Sequence, residues 1–327
     1  MFQDDLINWY NIHKRDLIFR KDKDPYKIWI SEIMAQQTRI EAMLPYYTRF
    51  LAEIPDIETL ASIDDERLQK LWQGLGYYSR CRNLKKCAQV CMKEYGGKLP
   101  CTKAELVKLP GIGPYTAGAI ASIAFDERVS AVDGNVLRVF SRLFHMTQDI
   151  KTSAGRKAIT AKVDESLPDT DRISAYNQAI MELGALICLP KHPHCEQCPI
   201  RKDCQAYHYQ DAETLPVKSA NKPRKIVKKK IYIWISGRRI HLHKRPETGL
   251  LAGLYEFDAA LPDQYEDLLP LKPYTHIFSH VEWHMDAYAV FTDQWDADYK
   301  STAEIDRDYA IPGAFQPFYQ QVKEILK

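Results

Sequence analysis

The sequence predicts a two-domain chain, an all-α domain followed by a smaller α+β domain, and three observations predict it. First, to about Tyr209 apolar residues recur at three- and four-residue spacing, as in "LVKLPGIGPYTAGAIASIAF" and "YNQAIMELGALIC". Short breaks such as "EIPD", "YGGKLP" and "SLPDTD" separate these helical segments. Second, the tract Lys218–Lys230 carries seven basic residues, one proline and no acid. Third, the period then changes: "KIYIWISGRRIHLHKR" predicts two short strands about a glycine turn, and "EWHMDAYAVFT" another strand. The expected division is a helical domain over 1–213, a basic linker over 214–230 and an α+β domain over 231–327.

Composition narrows the class of protein. Of 327 residues, 45% are hydrophobic and 27% charged, as in soluble globular chains. No apolar run reaches the ~18 residues of a membrane helix. The N-terminus "MFQDDLINWYNIHKRD" has no apolar signal core. These features predict a cytoplasmic protein, nucleoid-associated if bacterial, with no membrane partner. Eight cysteines in such a chain point to metal or free thiols before disulfides. Residues 1–230 carry a net charge of +8 and residues 231–327 a net of −6, so only the first part favours a polyanion. The basic tract reads equally as a charged tether or as a phosphate contact.

Within the helical part, "ICLPKHPHCEQCPIRKDC" places Cys188, Cys195, Cys198 and Cys204 at C-x6-C-x2-C-x5-C. Four thiolates so close can converge on one soft-metal centre, and by chemistry alone zinc and iron–sulfur both fit. Cys87 and Cys91, at helical spacing, read as core.

Further upstream, "LPGIGPYTAG" holds a turn at Pro110-Gly111, with Gly113 ahead of a helix predicted to start near Pro114. Unpaired N–H groups at such a helix start make an anion site. Asp133, in "AVDGNVLRVFSRLF", stands where an N-cap belongs. Glu32, in "IWISEIMAQQT", sits among Ile28, Trp29, Ile33 and Met34, where burial would raise its pKa. A single helical glutamate is more often solvated. If the two carboxyls meet, a neutral acid and an ionised carboxylate suit cleavage of a glycosidic bond.

These motifs together resemble the helix-hairpin-helix, iron–sulfur DNA glycosylase superfamily and, within it, the adenine DNA glycosylase (MutY) family. The resemblance implies a [4Fe–4S] cluster on Cys188, Cys195, Cys198 and Cys204, in a loop that contacts DNA. It implies a phosphate grip at Gly111 and Gly113. It assigns Glu32 to protonating adenine and Asp133 to steadying the sugar cation, with Asn135 of "DGN" orienting a group in the site. Ala35 departs from the leucine usual in the "SEIMAQQT" motif. Tyr115 stands where the strand-cleaving relatives carry a nucleophilic lysine, which implies a monofunctional enzyme that stops at the abasic site. Gln37 and Thr38 of "QQT", with Leu75 and Tyr77 of "GLGYYSR", resemble wedge elements. Arg20 and Gln178 are placed in the adenine pocket.

The tail resembles the family's MutT-like (Nudix-fold) lesion-recognition domain. "RPETGLLAGLYEFD" matches its "RPxxGLLAGLWEFP", with Tyr255 for Trp and Asp258 for Pro. "HIFSHVEWHM" matches its lesion loop, so that Phe278, Ser279 and His280 would meet 8-oxoguanine. The nucleotide-hydrolysing Nudix box does not occur between the two motifs, which makes the tail a binding module. The implied partner is double-stranded DNA with an A:8-oxoguanine or A:G mispair, engaged by a monomer. The alternatives are a glycosylase for another mismatched base, such as thymine opposite guanine, and a non-catalytic, cluster-bearing DNA-binding protein.

Overall fold

The structure is a computed structural model and describes residues 2–327. Two compact units divide the chain: one takes in Met1–Tyr47, Leu51–Ala61 and Asn83–Ala220, the other Thr48–Phe50, Ser62–Arg82 and Asn221–Lys327.

The first unit is helical, as the apolar spacing predicts. Its core joins the helices Phe2–His13, Gly134–Leu143 and Thr170–Leu186 through Leu6, Val136, Phe140, Tyr176 and Ile180, all nearly free of solvent. The helix Pro25–Ala35 packs on the helix Pro114–Ala124. Asp24 caps the first of these by accepting from the N–H groups of Tyr26 and Lys27, and Pro25 occupies the first turn. Burial of Ile28, Trp29, Ile30, Ile33 and Met34 holds it in place. Among the described residues no helix is long and apolar enough to cross a membrane.

The second unit is built on a mixed sheet. Its strands are β1 (Lys225–Ser236), β2 (Arg239–His241), β3 (His243–Lys244), β4 (Tyr255–Glu256), β5 (Asp267–Pro270), β6 (Tyr274–Ile277), β7 (Val281–Phe291) and β8 (Tyr299–Ser301). The main sheet runs β5-β7-β1-β2-β8, with β6 also on β7, and β3 and β4 form a separate ribbon. β1 and β7 pair in parallel and the remaining pairs are antiparallel. The predicted glycine turn joins β1 to β2, with Gly237 at φ 59°. The helix Gln316–Ile325 lays Phe318, Tyr319 and Val322 against Ile231, Ile233 and Trp283 of the sheet.

Two features differ from the sequence expectation. β1 begins at Lys225, inside the segment 214–230 expected as linker. The lysine run hides a strand there, because pairing of Lys225–Lys230 with Val281–Asp286 satisfies its backbone whatever its side chains. The compact units also do not follow the division into 1–213 and 231–327, since residues 62–82 group with the C-terminal part. Long-range contacts cause this: Lys70 Nζ donates to the carbonyls of Ile305 and Tyr309 at 3.0 and 2.9 Å, and Tyr255 donates its hydroxyl to Glu66 at 2.6 Å.

Candidate active site

A cavity of about 770 Å³ in the helical unit is lined by Glu32, Tyr115, Asp133, Asn135, Met181 and Glu182. Arg20, Gln37, Thr38 and Gln178 also line it, so eight of the residues singled out from sequence meet here.

Glu32 stands among the apolar residues Ile28, Trp29, Ile33 and Met34 of its helix. Its Oε2 accepts a 2.5 Å hydrogen bond from the Tyr115 hydroxyl. Tyr115 also lies 3.4 Å from Met181 Sδ. Burial pushes the Glu32 carboxyl above the usual carboxylate range; the Tyr115 hydrogen bond opposes this, and the negative charge of Asp133 adds to it. Burial and the same two carboxylates push the Tyr115 phenol well above its ordinary value, so it stays a neutral donor at any physiological pH.

Asp133 is both cap and cavity residue. Its Oδ1 accepts from the Val136 N–H and its Oδ2 from the Asn135 side-chain amide, each at 2.8 Å. Burial raises its pKa, while the two Asn135 donors, the Val136 N–H and the Arg138 charge all favour the ionised form. Glu32 has one donor to its charged form and Asp133 has three, so hydrogen bonding favours the ionised form more at Asp133 than at Glu32.

Three groups that sequence reasoning missed hold this arrangement. Glu182, fully buried, accepts from Arg15 Nε and Nη2 at 2.8 and 3.0 Å and from Arg20 Nη2 at 2.9 Å. Burial opposes its ionisation, yet the two arginines hold its carboxyl down at about 2. Arg20 Nη1 is buried without a hydrogen-bond partner among the described residues. Arg138 joins the aspartate to the cysteine loop, donating to Asn135 Oδ1 at 3.0 Å and to the Cys188 carbonyl at 2.8 Å. Asn135 packs so close to Gly184 that a Cβ there would lie 2.6 Å from the Asn135 Cβ. Arg142, only 1% exposed, donates to the carbonyls of Leu189, Pro190 and Leu215 and approaches Cys188 Sγ at 3.3 Å. The available signal was polar residues at i, i+4 inside an apolar helix, "NVLRVFSRLF", with no solvent face to receive them.

Cys188, Cys195, Cys198 and Cys204 are all half-buried and free of disulfides. Burial and mutual proximity push up the thiols of Cys195, Cys198 and Cys204, Cys198 to about 12. The predicted hairpin forms between the short helix Lys103–Leu106 and the helix Pro114–Ala124. Gly111 takes φ 77°, which favours glycine, and a Cβ there would strike Asn83 at 2.6 Å. Gly113 caps the second helix and leaves its first N–H groups without side-chain partners.

In the second unit, Leu75, Tyr77, Phe278, Ser279 and His280 line a separate cavity of about 460 Å³. The Tyr77 and Ser279 hydroxyls lie 3.1 Å apart. Arg80 fixes the 74–77 turn by donating to the carbonyls of Leu75 and Gly76 at 3.1 and 3.2 Å. Tyr77 is exposed at φ 46°, and Gln37 of the helical unit is likewise exposed at φ 61°. Non-glycine residues in this region carry strain of ~1 kcal/mol or more and cluster at functional positions.

Residues 30–165 match the HhH-GPD superfamily of base excision DNA repair proteins, and residues 231–321 match the NUDIX domain. Fold and site therefore define a helix-hairpin-helix DNA glycosylase with a Nudix-like second domain. A thermostable thymine-DNA glycosylase resembles it with a TM-score of 0.58 and 28% identity, over 64% of this chain and 95% of that one. An endonuclease III–DNA complex shares the fold, with a TM-score of 0.54 and 20% identity over 64% and 94%. The adenine DNA glycosylase of Mus musculus is 34% identical over 90% of this chain and 71% of its own length. That of Buchnera aphidicola is 36% identical over 79% and 73%, and that of Homo sapiens 34% over 82% and 59%. The chain belongs to the adenine DNA glycosylase family.

Proposed function

We propose that this enzyme removes adenine mispaired with 8-oxoguanine or guanine and leaves an intact strand with an abasic site. The observation that carries it is the pairing on one cavity of Glu32, whose pKa burial raises, with a hydrogen-bonded Asp133. The target base must leave the duplex stack to reach them, at a cost of a few kcal/mol. Glu32 gives its proton to the base as the C1′–N bond breaks, so that neutral adenine departs. The sugar gains oxocarbenium character and Asp133 stabilises it electrostatically. Glu32, now ionised, takes a proton from the water that adds to C1′. Tyr115 holds the Glu32 carboxyl in place, and a phenol cannot form the Schiff base that strand cleavage requires. Arg20 Nη1, without a hydrogen-bond partner among the described residues, and Gln178 are suited to hydrogen-bonding the base.

Gln37, Thr38, Leu75 and Tyr77 act at the gap left in the duplex, and Gly111 and Gly113 bind backbone phosphate through the N–H groups of the Pro114–Ala124 helix. Phe278, Ser279 and His280 read the opposite base, with Ser279 bonding the N7–H or O8 of 8-oxoguanine. The four cysteines fit a [4Fe–4S] cluster: they are free of disulfides, and half-buried thiolates need cationic compensation that Arg142 supplies only in part. Such a cluster supplies a covalent staple that shapes the 188–204 loop.

The test is a product assay on duplexes with A opposite 8-oxoguanine and T opposite guanine. Free adenine from the first, with strand breaks only after alkali, is expected. Thymine release from the second would favour the activity named for the 28% identical thymine-DNA glycosylase. Strand cleavage without alkali would refute the role given to Tyr115.

A further inference from the structure

The second unit holds a cluster of ligand-type side chains that base excision does not use. β2 ends on His241 and β3 opens on His243. Strand alternation puts both imidazoles on one side, while Leu242 between them, 1% exposed, enters the core. Asp258 follows β4 and is fixed by backbone hydrogen bonds with Tyr232 in both directions, at 2.8 and 3.0 Å.

The inner nitrogens converge on one carboxylate. His241 Nδ1 lies 2.9 Å from Asp258 Oδ2, and His243 Nδ1 lies 3.6 Å from Asp258 Oδ1. The outer nitrogens face other carboxylates: His241 Nε2 is 3.7 Å from Asp296 and His243 Nε2 is 3.3 Å from Glu256. A neutral imidazole has one N–H, so it satisfies one such neighbour and leaves the other lone pair facing an anion. Protonated rings donate to both neighbours, and hydrogen bonds to Asp258 and Glu256 hold the His243 pKa up at about 9; a cation between the two Nδ1 atoms and Asp258 takes the place of the inner protons. The outer carboxylates then do what they do in metalloproteins, accepting the remaining N–H and fixing the ring orientation.

The dimensions fit. One ligand atom from each of His241, His243 and Asp258 lies within 4.8 Å of the others. Bonds of ~2.0–2.1 Å at tetrahedral angles set such atoms ~3.4 Å apart, so binding draws the most separated pair in by up to about 1.4 Å. Two imidazoles with one carboxylate select zinc-class ions over magnesium or calcium. His241 and Asp258 are 8% and 9% exposed, and half-buried His243 leaves a solvent-facing fourth position.

We propose that His241, His243 and Asp258 bind one divalent transition-metal ion, with zinc the best fit. It ties the β3–β4 ribbon to the main sheet and so braces the 245–254 segment between them. The test uses the full-length protein, dialysed against a chelator and then against micromolar Zn²⁺. Wild type is expected to take up one equivalent more than Asp258→Ala or His243→Ala, each binding at least about 100-fold more weakly. Zinc bound at the cysteine loop is common to all three proteins and cancels. Zinc X-ray absorption on wild type alone checks the site without relying on the folding of a variant, and should show nitrogen and oxygen neighbours. A purely sulfur shell, or equal uptake by wild type and both folded variants, overturns the proposal.

Discussion

The cavity around Glu32 and the turn that carries Ser279 hold their polar groups in opposite ways. In the cavity the carboxyls are fixed by neighbours that are themselves fixed: Tyr115 on Glu32, Asn135 and Val136 on Asp133, two arginines on Glu182. At the turn Ser279 is exposed, and its side chain meets one hydroxyl, that of Tyr77, itself 50% exposed. A carboxyl whose pKa is raised by burial needs a dry, rigid setting. A hydroxyl that reads another molecule needs an open one. If the two regions serve chemistry and recognition as proposed, substitutions should separate rate from preference.

The largest expected effect is at Glu32. Glutamine preserves shape and still accepts the Tyr115 hydrogen bond, but has no proton to deliver. Single-turnover adenine release from an A:8-oxoguanine duplex should fall about a thousandfold in Glu32→Gln, with duplex affinity nearly unchanged. If Glu32 is the acid, its raised pKa means that the wild-type rate should decline as pH rises through that pKa. The variant should lose this limb. Substantial turnover by the variant would place the acid elsewhere.

The same contrast explains what was legible in the sequence. Asp133 and the 111–113 turn carry local signals: an N-cap before an apolar helix, and glycine and proline where the chain must bend. Glu32 stood out through its apolar neighbours, all within one helix. Glu182 lay in a similar setting, "AIMELGAL", but its partners Arg15 and Arg20 are more than 160 residues away, and no local pattern announces them. The lysines of β1 concealed a strand whose partner begins at Val281, and the contact of Tyr77 with Ser279 spans 202 residues. Family motifs named both of those residues, but only the fold brings them together.

The second effect in size concerns stability. Glu182→Gln leaves two guanidinium groups without their buried partner. A shift of the folded pKa from 4.5 to about 2 corresponds to roughly 3 kcal/mol, in the range for breaking a buried pair. Since the folded value is depressed, this stabilisation is complete above the unfolded pKa and is lost as pH falls towards about 2. Urea unfolding should show the same gap between wild type and variant at neutral and mildly acid pH. Below the unfolded value the gap should narrow. A gap that widens on acidification would mean that Glu182 is not held ionised by its arginines.

The smallest effect is the sharpest test of the recognition turn. Ser279→Ala removes one exposed hydroxyl and no packing. Phe278, stacked edge-on to Trp283 at 4.9 Å, and the Phe278 N–H bond to the Val281 carbonyl keep the turn in shape. The loss is one hydrogen bond, about 1 kcal/mol, so preference for 8-oxoguanine over guanine opposite adenine should fall about fivefold. The single-turnover rate on the preferred duplex at saturating enzyme should hold, because the carboxyl cavity is untouched. Tyr77→Phe provides the complementary measurement. If Tyr77 only positions Ser279, the double variant should lose no more preference than Ser279→Ala alone; additive losses would mean that each hydroxyl reads the lesion separately. Unaltered preference in all three variants would remove the turn from recognition and leave discrimination to the cavity.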